Sequence, residues 1–184
     1  MNLPNAISLV RLLLVPVFAW LHLRGEPLAA LVVFVAAAIS DGIDGFLARA
    51  LDQRTALGAI LDPIADKLLG LTALVLLVWS AVLPVWFLGV SLLRDAVVAA
   101  VGITSKASHR SVRAAPTRIS KYATFLLMAT VTLALFSRSP DYGAAVVPYL
   151  AAVGAVAAEC LLVATVQYGM LWWSVLRGRR LDTP

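Results

Sequence analysis

Six apolar stretches, each long enough to cross roughly 30 Å of hydrocarbon, occupy most of this 184-residue chain. They lie at about 6–23, 28–50, 57–79, 84–103, 119–137 and 145–173, with turn-forming residues between them. Hydrophobic residues make up 61% of the chain, a larger share than a soluble domain carries. The sequence therefore predicts an all-α integral membrane protein with six transmembrane helices, folded as a single domain over residues 1–184. Because no basic region precedes the first stretch, we expect a first membrane helix there rather than a cleaved signal peptide.

Lysine and arginine are strongly biased toward one side of this arrangement. With the N-terminus inside, twelve of the 15 basic residues lie inside, Arg24 and Arg138 lie outside, and Arg94 lies within the fourth stretch. The positive-inside rule then places both termini in the cytoplasm. The basic segment 104–118 is consistent with two roles, attraction to anionic lipid at the membrane surface and binding of a phosphate. Nucleic acid is not an expected partner, because no soluble domain is present to bind it.

Four aspartates interrupt the apolar background near the cytoplasmic ends of the second and third stretches. Asp41 and Asp44 are three residues apart, and Asp62 and Asp66 are four apart, so each pair lies on one helical face. An ionised carboxylate at mid-bilayer depth costs roughly 2.5–3.5 kcal/mol, so a cation must neutralise such a cluster. Two acidic faces that meet form an oxygen-rich site suited to Mg²⁺ or Mn²⁺.

A small ion transporter is the competing interpretation, since intramembrane carboxylates also mark ion pathways. The aspartates cluster at one face instead of crossing the bilayer, and no inverted repeat is visible, so we disfavour it. The small residues Gly45, Ala48 and Gly58 have two interpretations. They allow close packing of helices, or they leave space for a flat ligand group. Arg49 fits either neutralisation of a carboxylate or binding of a phosphate.

These residues together form the pattern D-x2-D-G-x2-A-R-x8-G-x3-D-x3-D. The pattern resembles the signature of the CDP-alcohol phosphatidyltransferase family at all eight fixed positions. The opening P-N-A-I-S-L-V-R, which includes Asn5 and Arg11, and the run P-T-R-I-S-K-Y-A-T resemble further motifs of that family. The resemblance covers nearly the whole chain, including a six-helix bundle.

The resemblance implies a transferase of phospholipid biosynthesis that moves a phosphatidyl group from CDP-diacylglycerol to an alcohol and releases CMP. It implies two divalent ions, Mg²⁺ or Mn²⁺, a homodimer, and a location in the bacterial inner membrane with the active site facing the cytoplasm. The metal ligands carried over are Asp41, Asp44, Asp62 and Asp66, and Asp66 is also the general base. The residues carried over for CDP-lipid binding are Asn5, Asp44, Gly45, Ala48, Arg49 and Gly58.

The acceptor is open between two alcohols. Phosphatidylglycerophosphate synthases carry G-K-x-K-T where this chain has Ser120-Lys121-Tyr122-Ala123-Thr124, so Ala123 replaces the second lysine. This difference favours phosphatidylglycerol as acceptor, as in cardiolipin synthases, with glycerol 3-phosphate as the alternative. The residues expected to contact the acceptor phosphate are Arg94, Arg113, Arg118 and Lys121. For Arg94 the alternative is an internal ion pair with Asp95. His22 is expected in a loop, exposed to water.

Overall fold

The structure is a computed structural model. It describes the backbone of residues 3–50, 58–107 and 118–176 and the side chains of residues 9–40, 63–104 and 118–174. In these ranges the regular structure consists of α-helices. They are α1 (Leu3–Leu23), α2 (Pro27–Ala50), α3 (Gly58–Trp79), α4 (Val85–Ala107), α5 (Arg118–Phe136) and α6 (Gly143–Leu176). Each helix matches one of the six predicted stretches to within a few residues, which confirms the all-α fold for the described ranges.

Three of these helices contain segments long and apolar enough to cross a membrane. The segments are Val85–Thr104, Arg118–Phe136 and Gly143–Ser174, while the shorter apolar segments Leu9–Leu23 and Pro27–Ser40 lie in α1 and α2. Trp20, Trp79 and Trp86 are exposed and lie near helix ends, where tryptophan anchors proteins at the membrane interface. An integral membrane protein is indicated, whereas the count of six spans stays a prediction.

The chain forms two compact units. The first comprises Met1–Leu83 and Val131–Leu150, and the second comprises Pro84–Thr130 and Ala151–Pro184. In the first unit α1 packs against both α2 and α3, and α2 also contacts α3. The two helices that carry the four aspartates therefore belong to one unit and contact each other.

A tight turn makes α1 and α2 an antiparallel pair. Gly25 has a φ of 75°, a left-handed conformation that glycine adopts without steric cost. The N–H groups of Gly25 and Glu26 donate to the carbonyls of His22 and Leu21, both at 3.1 Å, as in a Schellman motif. Beyond the turn, the fully buried rings of Phe18 and Phe34 pack with their centroids 5.8 Å apart. This ring contact fixes the height of α1 relative to α2.

A second contact joins the C-terminal ends of α1 and α3. The Nε2 atom of His22 and the Oγ atom of Ser80 are 2.9 Å apart and hydrogen-bonded. Ser80 follows the last residue of α3, where Ala81 adopts a φ of 56° and the chain turns. The expectation of a water-exposed His22 is wrong, because the residue lies within α1 and is 5% exposed. The start of α1, the end of α2 and the start of α3 therefore lie at the opposite end of the first unit.

Candidate active site

The buried face of α2 leads directly to its two aspartates. Ala30, Phe34 and Ala37 are each fully buried, at successive steps of four and three residues. Further steps of four and three residues reach Asp41 and Asp44, whose backbones continue α2. Because steps of three and four keep residues on one helical face, both aspartates extend the face that α2 buries. Their side chains lie outside the described residues.

The aspartates of α3 follow the same principle. Ala65, Leu69 and Ala73 form the buried stripe of α3, each 1% exposed or less. Asp66 borders this stripe and is partly buried. Asp62 lies four residues earlier on the same helix, so its Cα is on the same side as that of Asp66; its side chain is outside the described set. The helix continues through Pro63, which supplies no backbone N–H to the helical ladder.

Four carboxylates on two contacting helices are a donor set that fits a hard divalent cation. Such ions take six or more oxygen ligands, which carboxylates supply in one- or two-point binding. Among the side chains that the structure describes, no three acidic, histidine or cysteine residues form a metal-binding group. Three of the four predicted ligands lie outside that set, so the prediction of a metal site stays untested.

The residues predicted to bind the CDP-lipid lie at the same end of the first unit. Asn5 is in the first turn of α1, Gly58 is the first residue of α3, and Gly45, Ala48 and Arg49 lie in the last turns of α2. Their backbones are helical, while their side chains fall outside the described ones. The helix order thus groups these positions with the aspartates, and their role stays a prediction.

Arg94 of α4 is held by hydroxyl groups of α5. Its Nη2 donates to the Oγ of Ser120 at 2.8 Å and to the Oγ1 of Thr124 at 3.0 Å, with the Ser120 carbonyl oxygen at 3.4 Å. Its Nη1 donates to the Oδ1 of Asp95 at 3.0 Å. Nε is buried and has no hydrogen-bond partner among the described residues. The guanidinium of Arg94 therefore binds mainly to α5. Its Nε–H remains a donor for a ligand oxygen.

The other predicted acceptor contacts differ in their surroundings. Arg118 and Lys121 lie in the first turn of α5 and are exposed, in the same turn as the buried Ser120. Ala123, on the buried side of α5, is 0% exposed. Arg113 lies outside the described residues. The first turn of α5 thus places two exposed cations beside the hydroxyl that Arg94 binds.

Two features of this arrangement escape prediction from the sequence. Thr124 and Ser120 meet Arg94 across sequence separations of 30 and 26 residues, which no local pattern indicates. Arg11 of α1 is 1% exposed and is the largest fully buried side chain among those described. Its place in the opening motif P-N-A-I-S-L-V-R is the available sign, and sequence reasoning assigns it no role in the site.

Comparison with known proteins bears directly on these motifs. Residues 1–176 match the model of a family described as CDP-alcohol phosphatidyltransferase. The chain is 40% identical over 144 residues to a cardiolipin synthase (CMP-forming) of Streptomyces coelicolor, a match that covers 74% of this chain and 66% of that protein. It is 51% identical over 81 residues to a CDP-diacylglycerol–glycerol-3-phosphate 3-phosphatidyltransferase of Pseudomonas fluorescens, covering 42% of each chain. The enzyme of the same name from Escherichia coli K12 is 42% identical over 91 residues, or 45% of this chain.

The matched segments span between 42% and 66% of the lengths of these three relatives. The family match, in contrast, extends over nearly all of the present chain and includes the eight-position aspartate pattern and the motifs of α1 and α5. This extent confirms the resemblance drawn from the motifs. The chain belongs to the CDP-alcohol phosphatidyltransferase family.

Proposed function

We propose that this protein transfers a phosphatidyl group from CDP-diacylglycerol to the hydroxyl of an acceptor alcohol and releases CMP. The observation that carries the proposal is the position of the aspartate pattern, which continues the buried faces of two contacting helices of one unit. Carboxylates in such a setting require a cation, and a cation bound there can hold a pyrophosphate. Family membership supports the same reaction class.

Members of this family generally depend on a divalent metal. Asp41, Asp44, Asp62 and Asp66 are the residues that would hold two ions, Mg²⁺ or Mn²⁺. When bound, the ions would neutralise charge on the donor pyrophosphate and on the leaving CMP. Asn5, Gly45, Ala48, Arg49 and Gly58, together with Asp44, would bind the cytidine and phosphate portions of the CDP-lipid.

Asp66 serves as the general base in this scheme. Its carboxylate takes the proton from the acceptor hydroxyl, whose oxygen forms a bond to the lipid-side phosphorus. The bond from that phosphorus to the bridging oxygen of CMP breaks, and CMP leaves with the bonding electrons. Partial burial of Asp66 supports this role, because fewer water molecules then compete with the acceptor hydroxyl for the carboxylate.

Phosphatidylglycerol is the acceptor that we propose, which makes the product cardiolipin. Ala123 supplies no cation on the buried side of α5, and a phosphodiester acceptor needs fewer cations than a phosphomonoester. The longer match with the Streptomyces cardiolipin synthase, over 74% of the chain, supports the same choice. Arg94, Arg118 and Lys121, with Arg113, would contact the acceptor phosphate.

Glycerol 3-phosphate is the second candidate acceptor, and it rests on the first turn of α5. Arg118 and Lys121 are exposed there, and the positive end of a helix dipole adds to their attraction for an anion. Two relatives named for glycerol 3-phosphate match shorter segments of the chain, at 51% and 42% identity. Either acceptor leaves the donor chemistry unchanged.

The proposal also covers the setting of the enzyme. We propose six membrane spans in a single catalytic domain, a homodimer, and a bacterial inner membrane location with both termini in the cytoplasm. The bias of basic residues toward one side supports this orientation. An ion transporter finds no support from family membership.

Purified protein in detergent, given CDP-diacylglycerol, an acceptor and Mg²⁺, tests the proposal. We expect CMP release that depends on the acceptor, with the lipid product identified by mass. The matched control is Asp44→Asn, which removes one proposed ligand and keeps the side-chain size. CMP release at equal rates by the two proteins, or no release with any alcohol offered, would refute the proposed reaction.

A further inference from the structure

Arg11 is a fully buried cation in the unit that carries the four aspartates. Its side chain is 1% exposed, and a guanidinium stays charged in proteins. Removal of such a charge from water is costly unless an anion compensates it. Its helix, α1, packs against both α2 and α3. The surroundings of Arg11 must therefore supply negative charge from one of these helices.

The contact between Phe18 and Phe34 indicates which acidic position of α2 is level with Arg11. Arg11 lies seven residues before Phe18 on α1, and Asp41 lies seven residues after Phe34 on α2. Seven residues make about two helical turns, or about 10.5 Å, and return to nearly the same face. Because α1 and α2 run antiparallel, equal steps from the ring contact bring the Cα atoms of Arg11 and Asp41 to about the same height along the helix pair. Both helices are continuous over these steps, α1 passing through Pro16.

Glu26, Asp66 and Asp141 are the acidic residues of the first unit whose side chains the structure describes, and they fit this burial less well than Asp41. Glu26 lies in the turn at the opposite end of α1, and Asp141 is outside α1, α2 and α3; both are exposed. Asp66 of α3 is the described alternative, since α1 packs against α3 as well. The His22–Ser80 contact puts Asp66, 14 residues before Ser80, about three residues or roughly 4.5 Å below the level of Arg11, which is 11 residues before His22. The ring contact puts Asp41 level with Arg11, so Asp41 is the better partner.

We propose that Arg11 is a positioning residue that pairs with Asp41 and sets the affinity of the aspartate cluster for divalent cations. The guanidinium holds the Asp41 carboxylate in place when no ion is bound. Its charge also opposes an ion that binds the same carboxylate. The part of this inference that concerns ions rests on the proposed function, whereas the pairing of Arg11 with Asp41 does not.

Two opposite effects of Arg11→Gln separate this role from a purely structural one. Without metal the variant loses stability, because the carboxylate loses its partner. With one positive charge fewer near the cluster, Mn²⁺ should bind roughly ten-fold more tightly, the size of effect that a neighbouring charge has on a carboxylate. Saturating Mg²⁺ should therefore restore most of the lost thermal stability. A buried arginine far from the cluster would show neither the tighter binding nor the rescue.

The experiment uses the full chain in detergent and measures thermal unfolding in EDTA and in saturating Mg²⁺. The affinity for Mn²⁺ is measured by electron paramagnetic resonance, which detects the free ion. The variants are Arg11→Gln, Arg11→Lys, Asp41→Asn, Asp66→Asn and the two doubles that combine Arg11→Gln with each aspartate change. Arg138→Gln, a change at a partly buried arginine of the same unit, is the control. Arg11→Lys keeps the charge and should retain the wild-type Mn²⁺ affinity, which provides a reading if Arg11→Gln does not fold without metal.

In EDTA we expect the losses of thermal stability from Arg11→Gln and Asp41→Asn to be strongly non-additive. The double variant should be more stable than the sum of the two single losses predicts. Additive losses, unchanged Mn²⁺ affinity in Arg11→Gln, or non-additivity with Asp66 in place of Asp41 would each overturn the assignment. If wild type releases no CMP but these effects occur, the inference stands and the proposed reaction fails. If CMP is released and the effects are missing, the inference fails alone. If wild type binds no Mn²⁺, the inference about ion affinity fails. The double-mutant cycle measured in EDTA then decides whether Arg11 pairs with Asp41.

Discussion

The guanidinium of Arg94 donates a 2.8 Å hydrogen bond to the hydroxyl of Ser120, which joins the middle of α4 to the first turn of α5. Thr124, one turn later, accepts a second bond from the same nitrogen and donates its own hydroxyl to the Ser120 carbonyl at 3.1 Å. The cation thereby fixes the turn that exposes Arg118 and Lys121. In the proposed reaction Arg94 would thus act on the acceptor through α5 as well as by direct contact.

Loss of the Ser120 hydroxyl should weaken both stability and acceptor binding. Interhelical polar contacts in membrane proteins contribute about 0.6 kcal/mol on average and up to about 1.7 kcal/mol, so we expect a loss in this range for Ser120→Ala. Since Arg118 and Lys121 share its helical turn, the KM for the acceptor should rise several-fold while the KM for CDP-diacylglycerol changes little. Thermal unfolding and steady-state kinetics check these expectations.

Thr165→Val is the matched control for Ser120→Ala, because the Thr165 hydroxyl donates only within its own helix to the Leu161 carbonyl at 2.7 Å among the bonds described. A double-mutant cycle of Ser120→Ala with Arg94→Gln should show coupling. Equal rises in both KM values would argue against a role of this link in acceptor binding.

Chelation of divalent metal should abolish CMP release, and added Mg²⁺ or Mn²⁺ should restore it. Four carboxylates that converge as proposed would not all stay ionised in an apolar setting without cations. The measurement is the rate of CMP release in excess EDTA, with residual metal quantified, followed by titration with each ion. Full turnover in protein shown to be free of metal would contradict the assignment of the aspartates.

Asp66→Asn should lose turnover while it retains donor binding. A general base contributes typically 10²–10⁴-fold to a rate, so we expect a loss of about that size, with CDP-diacylglycerol affinity changed only several-fold. Asp41→Ala should lose both, since it removes a proposed ligand and the proposed partner of Arg11. Donor binding and turnover are measured separately, with Asp141→Asn, at an exposed loop residue, as the control. Near wild-type turnover of Asp66→Asn would remove it as the base.

The sequence predicts the helices well because turn-forming residues separate several of the apolar stretches. Gly25 illustrates this, since its positive φ ends α1 two residues before α2 begins. His22 shows the limit of local reasoning. A polar residue near a turn suggests exposure to water, but packing of α1 against α3 buries it beside Ser80, 58 residues away in sequence.

In the candidate site, too, spacing within one helix predicts some features and contacts between helices determine the others. Spacing alone places Asp41 and Asp44 on one face of α2, and the structure extends the buried stripe of Phe34 and Ala37 to that face. The burial of Arg11 and the partners of Arg94 depend on contacts between helices, which periodicity within one helix does not encode. The letters of a motif indicate such residues without indicating what they contact.

Phosphatidylglycerol should be a better acceptor than glycerol 3-phosphate, because Ala123 offers no cation for a phosphomonoester. A hydrogen bond to a charged group contributes about 1.5–3 kcal/mol, so its absence weakens binding of a dianion by roughly ten- to a hundred-fold, and that of a phosphodiester less. The test offers both acceptors to the purified enzyme and identifies the lipid product by mass. We expect cardiolipin to predominate at equal acceptor concentrations.

Ala123→Lys sharpens this test, with Ala123→Met as a control of similar length and no charge. Ala123 is 0% exposed, so both substitutions crowd the interior and should lower stability to a similar extent. If the position faces the acceptor phosphate, the lysine alone should raise the use of glycerol 3-phosphate relative to phosphatidylglycerol. Predominant phosphatidylglycerophosphate from the wild-type enzyme would reverse the acceptor assignment. The proposed metal-dependent transfer from CDP-diacylglycerol would stand, because the role proposed for the aspartate motif concerns the donor and is independent of position 123.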